Sequence, residues 1–512
     1  MAGFGYYSIP HIDEIGGVFG KFTPDHINEA HGSLKERSDN SPKMLHSIEE
    51  AIDKVGLKDG MTISFHHHFR NGDAVLNQVM EVIAKKGIKD LTIAASSLNA
   101  VHAPLIEHIK NGVVKRIETS GLRGELAEEI SRGLMDYPVV FRSHGNRAYA
   151  ISTGQLKIDV AFLGAPSCDP FGNANGYSRE KDNGISCGSL GYAKCDSKYA
   201  KKTVILTNNI VPYPNAPFAI PEECVDYVVK IDYIGDPKGI MSGATRYTKN
   251  PKELIIAQTA AEAIDASGIL QDGFSMQMGS GGASLAVTRY LEEKMAKKGI
   301  RASFALGGIT GSMVELFKKG YVRRIIDVQS FDLDAALSLK ENRFHQQISA
   351  QYYASPGNEG TAVNQLDMVV LSALEVDVDF NVNVLTGSDG VIRGAIGGHQ
   401  DTAEGAALSV IVCPLTRGRI PCVVDRVNTI VTPGQTIDMV VTEYGVAVNP
   451  AKPELKEKLV AAGITVREIT ELRDIAESYT GKGDPIEYTD KIVGIVTYRD
   501  GSVIDVIRQI KE

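Results

Sequence analysis

Glu50-Ala51-Ile52-Asp53 recurs as Glu262-Ala263-Ile264-Asp265, 212 positions later, and Lys85-Lys86-Gly87-Ile88 recurs at the same offset as Lys297-Lys298-Gly299-Ile300. Self-similarity at a shared offset marks a structural unit written twice. Further along the offset falls to 208. Gly112-Val113-Val114-Lys115-Arg116-Ile117 then aligns with Gly320-Tyr321-Val322-Arg323-Arg324-Ile325, and Asp159, Ala165, Asp169, Asn173 and Asn175 meet Asp367, Ala373, Asp377, Asn381 and Asn383. Each copy has one grammar: an amphipathic helix (47–55; 257–266), an Asp-Gly turn (Asp59-Gly60; Asp272-Gly273), a short apolar strand, a helix (74–86; 284–298) and a second strand (91–95; 302–306). Later strands are expected at 159–163 and 367–371. Continuous rather than alternating apolar runs, separated by helices, indicate parallel sheets covered on both faces. The predicted class is α/β, with two duplicated open parallel-sheet domains. Sites in such sheets lie at the carboxyl ends of the strands, so the two copies are expected to face a shared crevice.

Around the repeat, the expected organisation is an N-terminal extension over 1–45, a first domain over 46–225 and a second over 226–512. Ser38-Asp39-Asn40-Ser41-Pro42 reads as a linker, and Pro212, Pro214, Pro217 and Pro221 crowd the join between the copies. Runs at 493–498 and 503–506 flank Arg499-Asp500-Gly501-Ser502, a C-terminal hairpin signal. The chain has 512 residues, 43% apolar and 23% charged, the composition of a folded protein with room for two to four domains of about 150 residues. A net charge of −9 argues against nucleic acid or an anionic membrane as partner. No run reaches the ~18 apolar residues that span a bilayer, and the start Met1-Ala2-Gly3-Phe4 lacks the basic-then-apolar pattern of a secretory signal. Six cysteines with no CxxC pair read as reduced thiols, so a cytoplasmic protein is expected.

Four constellations carry candidate chemistry. Gly397-Gly398 follows a strand-like run; such a pair is either a tight turn or a pair of amide donors able to stabilise a developing oxyanion. His66-His67-His68 with Arg70 reads as an anion-binding strand end or as a polar loop, with His67, His68 and Arg70 as the candidate carboxylate binders. Alternating side chains prevent all three imidazoles from facing one site, and no further metal ligands are spaced nearby, so no metal is expected. Arg142-Ser143-His144 is a second candidate of the same kind. Gly279-Ser280-Gly281-Gly282 links a strand to a helix; it is a plain turn or an anion contact, and it is not a Walker loop because no Gly-Lys-Ser/Thr follows.

The segment Ala373-Leu374-Glu375-Val376-Asp377, the loop Gly394-Ala395-Ile396-Gly397-Gly398-His399-Gln400-Asp401 and the segment Val440-Val441-Thr442-Glu443-Tyr444-Gly445-Val446-Ala447 resemble the CoA-transferase superfamily, as does the two-copy organisation. Ser64-Phe65-His66-His67-His68-Phe69-Arg70-Asn71-Gly72-Asp73, Gly164-Ala165-Pro166-Ser167-Cys168-Asp169 and Tyr498-Arg499-Asp500-Gly501 narrow the likeness to citrate lyase alpha subunits, over essentially the whole chain. The resemblance implies CoA-transferase-type domains and a citrate:acetyl-carrier-protein transferase, acting beside a lyase beta subunit and an acyl-carrier gamma subunit in a homo- and hetero-oligomer. It implies that the thiol belongs to a CoA-type prosthetic group on the carrier, with acetyl-CoA as a surrogate. Gly397 and Gly398 would be the amide donors, Asn383 and Glu443 supporting polar groups, and Gly279, Gly281, Gly282, Gly307, Gly308 and His399 the surroundings of the thioester arm.

Related transferases carry the acyl group on a glutamate of a Ser-Glu-Asn-Gly segment, where this chain has Ser388-Asp389-Gly390, a favoured turn. A neighbouring branch places its glutamate where Gly307-Gly308 stands here. The second departure suits an exchange without an enzyme-bound acyl group. The alternatives are a covalent transferase using Glu375 or Asp389, an alpha subunit acting on citramalate, and a non-catalytic sensor of acyl-CoA or sugar phosphates.

Overall fold

Short apolar segments in this chain become central strands because helices cover both faces of each sheet. The strands Leu91–Ala95 and Val160–Gly164 are buried at every position. The computed structural model describes residues 41–241, 248–279 and 281–511. Nearly all of the expected N-terminal extension, most of the expected linker, and Ser280 of the glycine loop lie outside the described residues.

The first half supplies β1 (Met44–Leu45), β2 (Thr62–Phe65), β3 (Leu91–Ala95), β4 (Val114–Thr119), β5 (Val139–Phe141), β6 (Val160–Gly164), β7 (Lys202–Thr207) and β8 (Tyr227–Lys230). The second supplies β9 (Ser275–Met278), β10 (Phe304–Ile309), β11 (Ile325–Ser330), β12 (His345–Gln347), β13 (Met368–Ser372), β14 (Leu408–Val412), β15 (Met439–Thr442) and β16 (Gly445–Val448), and the chain ends in the hairpin β17 (Tyr488–Thr497) and β18 (Val503–Ile510). The first sheet runs β1-β8-β7-β6-β2-β3-β4-β5-β17-β18 and the second β12-β11-β10-β9-β13-β14-β15-β16. Read from β8 to β5 and from β15 to β12, the two orders are the same seven-strand arrangement, with every neighbouring pair parallel. Each sheet reverses strand order beside its first long strand, between β2 and β6 or between β9 and β13, the point where open α/β sheets form a crevice.

Side-chain detail repeats as well. Asp159 Oδ2 accepts from Thr62 N–H at 2.9 Å, and Asp367 Oδ2 accepts from Ser275 N–H at 2.7 Å. Asp169 and Asp377 each gather loop amides on Oδ1 and receive their following asparagine, Asn173 or Asn381, on Oδ2. Asn175 and Asn383 face Ser167 and Glu375 across matching antiparallel strand pairs, the second of which gains a third, parallel strand, Val423–Val424.

Three expectations need correction. The boundary at 225/226 cuts through the first sheet, because β8 pairs with β7 beyond it. The C-terminal hairpin does not complete the second half; β17 pairs with β5, extending the first sheet. Parallel β5 leaves an open edge there, and a terminal hairpin covers it. The helix expected at 257–266 also begins sooner, at Pro251, since Asn250 caps it and proline suits a first turn.

One buried ion pair holds the helices around the crevice. Arg147 on the helix His144–Ser152 meets Asp196 on the helix Gly191–Tyr199 through two parallel bonds of 2.7 and 2.8 Å, with both side chains buried. Asp196→Ala would strand the guanidinium, and chemical denaturation should register a loss of about 3–5 kcal/mol.

Candidate active site

The carboxyl ends of both sheets converge on a cavity of about 350 Å³. From the first sheet come His67 and Arg70 after β2, Ser97 and Asn99 after β3, Ser120 and Arg123 after β4, and His144 after β5. The second sheet contributes Gln277 and Gly279 at β9, Gly308 on β10, Gln329 on β11 and Ser372 on β13, and Tyr192 and Tyr353 close the space from two helices. The segment carrying Gly397-Gly398 reaches the site by pairing with the first half: Ile396 N–H donates to Ser120 O at 2.8 Å and Leu122 N–H to Gly394 O at 3.1 Å. Gly397 O in turn accepts from His144 N–H at 2.9 Å. Gly397 has a φ of 57°, a left-handed conformation that glycine adopts without strain. Among the described residues, neither the Gly397 nor the Gly398 N–H has a hydrogen-bond acceptor.

The electrostatics are one-sided. Among the described residues, no aspartate or glutamate lines the cavity, while Arg70, Arg123 and Arg417 do; none of the three makes an ion pair, and Arg417 donates to the Ala373 and Leu374 carbonyls. Arg70 is displayed from a left-handed backbone (φ 53°), its guanidinium stacks over the Phe331 ring at 5.1 Å, and its buried Nη1 has no partner. Burial and the facing Arg123 pull its pKa down to about 10, and burial alone lowers that of Arg123, so both stay cationic at neutral pH. The imidazoles do not share this charge. Burial, with neighbouring His144 and arginines, lowers His67, and burial holds His144 near about 3. Ser96 Oγ accepts from the His67 backbone N–H at 3.1 Å and also meets the ring Nδ1, which fixes the orientation of the imidazole. Buried Asn99 Nδ2 and His144 Nδ1 also lack partners. Unpaired buried polar groups are costly, so a set converging with two free guanidinium groups marks a polar anionic ligand.

The sequence profile described as Citrate lyase, alpha subunit (CitF), matches residues 41–510. The chain belongs to the citrate lyase alpha subunit family. It is 59% identical over 470 residues to the citrate lyase alpha chain of Escherichia coli K12, covering 92% of this chain and 91% of the relative. A Streptococcus mutans crystal structure, described as the alpha subunit of citrate lyase in complex with citrate, superposes with a TM-score of 0.90 at 56% identity, covering 93% of each chain. A Pseudomonas malonate decarboxylase hetero-tetramer, in complex with malonate, shares the fold at 16% identity, with a TM-score of 0.62 over 86% of both chains.

In this member of the citrate lyase alpha subunit family, the cavity gathers His67, Arg70, His144, Gly279, Gly281, Gly308, Gly397, Gly398 and His399 from among the expected site residues. His399 is pinned, donating from Nε2 to Ser372 O at 3.1 Å and meeting the Thr432 hydroxyl at Nδ1. The others fall elsewhere. Arg142 is spent on Glu118 at 2.7 Å and Asn146 at 3.0 Å. His68 lies outside the cavity lining, its ring 3.7 Å from that of His66. Asn383 knits its ribbon by donating to Glu375 at 2.9 Å and to Thr386. Glu443 accepts from Leu415 N–H at 2.8 Å, away from the lining residues. A Cβ on Gly282 would come within 2.9 Å of Glu253 Oε2, and one on Gly307 would strike the Gln277 amide. A side chain on Gly281 or Gly308 would strike Ser372 or Phe331, so packing alone already demands glycine there. Sequence reasoning missed Arg123, Asn99, Gln277, Tyr192 and Tyr353. The rule that placed Arg70 applies to Arg123, four residues past the end of β4; nothing in the sequence marks the two tyrosines.

Proposed function

We propose that this chain moves a carrier thioester from acetate to citrate: acetyl-S-carrier plus citrate gives citryl-S-carrier plus acetate. The observation that carries this reading is the combination of three lining arginines without an ion pair and a complete lack of lining carboxylates among the described residues. Such a cavity attracts a polycarboxylate and offers no acidic side chain to carry an acyl group. Family membership and the citrate described with the Streptococcus relative support the choice of substrate. A citrate carboxylate attacks the acetyl carbonyl, and the tetrahedral adduct collapses to a mixed anhydride, releasing the carrier thiolate. The thiolate then attacks the citryl carbonyl and acetate departs. Both adducts carry an oxyanion for the Gly397 and Gly398 N–H groups, each worth about 3–4 kcal/mol. Arg70, Arg123 and neutral His67 orient the carboxylates, and holding them in line is worth at most ~7–11 kcal/mol.

The thiol belongs to a CoA-type prosthetic group on an acyl-carrier gamma subunit, and a lyase beta subunit consumes the citryl thioester in a cytoplasmic assembly. Six free cysteines fit a reducing compartment. Among the described residues, no helix is long and apolar enough to cross a membrane.

The covalent alternative has no support in the geometry. Glu375 is buried in its ribbon, receiving Asn383 and Asn428, and Asp389 is half-exposed and paired with Arg393. Asp389→Asn should therefore keep kcat within about twofold, where loss of a covalent nucleophile would cost many orders of magnitude. Mass spectrometry after incubation with acetyl donor alone should find no adduct on any glutamate or aspartate. A hydroxylamine-sensitive acyl group, or an inactive but folded Asp389→Asn, would turn the reading to the covalent route. Steady-state transfer with acetylated carrier against citrate, citramalate and malonate tests the activity itself; no turnover with citrate would sink it.

A further inference from the structure

Behind the amide pair lies a carboxylate that touches no cavity atom. Asp401 sits on the helix His399–Gly405, which starts directly after Gly398, and it is fully buried. Its Oδ1 accepts from Ser143 Oγ at 2.8 Å and its Oδ2 from Gly145 N–H at 2.9 Å. These two residues flank His144, whose own N–H is held by Gly397 O at 2.9 Å. Ser143 also caps the helix bearing His144, accepting from Asn146 N–H at 3.0 Å. Gly145 permits the approach, since any side chain there would collide with Ala354 O and Asp401. The terminal hairpin closes the arrangement from the far side. Arg499 Nε lies 3.7 Å from Asp401 Oδ1, its Nη1 lies 3.5 Å from Glu404, and its carbonyl accepts from Asn146 Nδ2 at 3.2 Å.

We propose that Asp401 is a positioning residue for the transfer: one buried carboxylate, braced by Arg499, holds His144 and the Gly397-Gly398 amide pair together as a rigid unit. This rests on the transfer reading above. The ionised carboxylate makes both bonds charge-assisted and faces Arg499 with a negative charge; protonation removes that charge and leaves weaker, neutral hydrogen bonds to Gly145 and Ser143. Burial pushes the Asp401 pKa up to about 6, Glu404 adds to the rise, and Arg499, Gly145 N–H and the Ser143 hydroxyl oppose it. The other groups facing it are His144, held near about 3, and Tyr192, Tyr353 and Tyr498, all pushed up, so none of these changes charge in the same range. As pH falls through about 6, the brace loosens and kcat falls with it.

The test compares kcat and KM for citrate, from about pH 5 to 8, in the wild type, Asp401→Asn and Glu404→Gln, with calorimetric citrate affinity alongside. Asn can still accept from Gly145 N–H, but its NH₂ must donate to the Ser143 hydroxyl instead of accepting from it, and the negative charge facing Arg499 is gone. At neutral pH its kcat should fall about tenfold or more, with KM and citrate affinity within about threefold, because Arg70 and Arg123 are untouched. The acid limb of kcat should be absent from Asp401→Asn, whereas any limb due to citrate itself is common to all three enzymes. Glu404→Gln keeps the carboxylate but removes a neighbouring negative charge, so its limb should move to lower pH. A wild-type kcat in Asp401→Asn, an acid limb that persists there, or a Glu404→Gln limb that stays put or moves upward would each overturn the proposal. Should Asp401→Asn fail to fold by circular dichroism, the Glu404→Gln shift decides alone, since the Glu404 side chain is 44% exposed. A wild type without transfer would instead sink the functional reading, a separate failure.

Discussion

Replacing Gly398 with valine should cut kcat at least about a hundredfold while leaving KM for citrate nearly unchanged, the signature of lost transition-state stabilisation. The backbone of Gly398 (φ −98°, ψ 18°) is open to any L-residue, so the effect comes from contact rather than strain. A Cβ there would overlap the Tyr353 hydroxyl and sit 3.1 Å from two further ring atoms. Tyr353 cannot step aside: it is buried, and its hydroxyl exchanges hydrogen bonds with the Gln277 amide at 3.0 and 3.3 Å. The turn must move instead, carrying both unpaired amide N–H groups off the acyl oxygen. This account makes a second, sharper expectation. Tyr353→Phe removes the overlapping atom, so Gly398→Ala in that background should recover part of the activity that Gly398→Ala alone loses. Rapid-quench or steady-state kinetics on the four enzymes would show it, and equal activity in the single and double variants would exclude the collision as the cause. Gly397→Ala should behave differently. Its Cβ would meet only His144, at 3.6 Å, and the penalty would be the left-handed φ, about 1–2 kcal/mol of stability.

Arg70→Gln and Arg123→Gln should each raise KM for citrate by about one to two tenfold steps, and the double variant by about two to four, since a charge-assisted bond contributes about 1.5–3 kcal/mol. kcat at saturating citrate should fall far less, because neither guanidinium is placed against the acyl oxygen. Arg70→Lys should not rescue fully: lysine lacks the planar group that stacks on Phe331 and the forked donors that match a carboxylate. The site is buried, so ionic strength should change KM only weakly, unlike a surface contact. With Arg70 held near about 10, citrate affinity should stay level from neutral pH upward and weaken only as pH approaches that value, when the guanidinium begins to lose its proton. Calorimetric titration of citrate into each variant gives the binding part without turnover. Wild-type affinity in the double variant would remove the anion site from these residues. A dicarboxylate analogue such as citramalate adds resolution: the arginine that reads the third carboxylate should matter for citrate and not for citramalate.

The duplicated parallel sheets were readable in the chain because both signals are local. A shared offset needs only two stretches of sequence, and a fully buried parallel strand such as Leu91–Ala95 announces itself as an unbroken apolar run. The same locality marked Arg70, His144 and Gly397-Gly398, which stand just past strands or at turns, where a parallel sheet presents its ligands. The errors share one physical cause. Arg142 and His144 are two residues apart on one strand end, and nothing nearby says that Glu118, from the adjacent strand, neutralises the arginine while the imidazole stays free. Asn383 looks available in a motif but is consumed by Glu375 and Thr386 once the ribbon packs, while Glu443 gives one oxygen to Leu415 N–H and faces Lys252 at 3.7 Å with the other. The terminal hairpin forms from its own turn, but which edge it covers depends on β5, whose bare side appears only after the first sheet has assembled. The sequence by itself determined the repeated α/β unit, the strand ends that carry polar groups and the family likeness, because each rests on short stretches read along the chain, alone or compared at a shared offset. Only the tertiary structure decided that Arg123 stands free beside Arg70, that Tyr353 leans on Gly398, and that Asp401 reaches Ser143 across 258 residues, because side-chain direction and charge pairing are settled by which surfaces meet when the two sheets close.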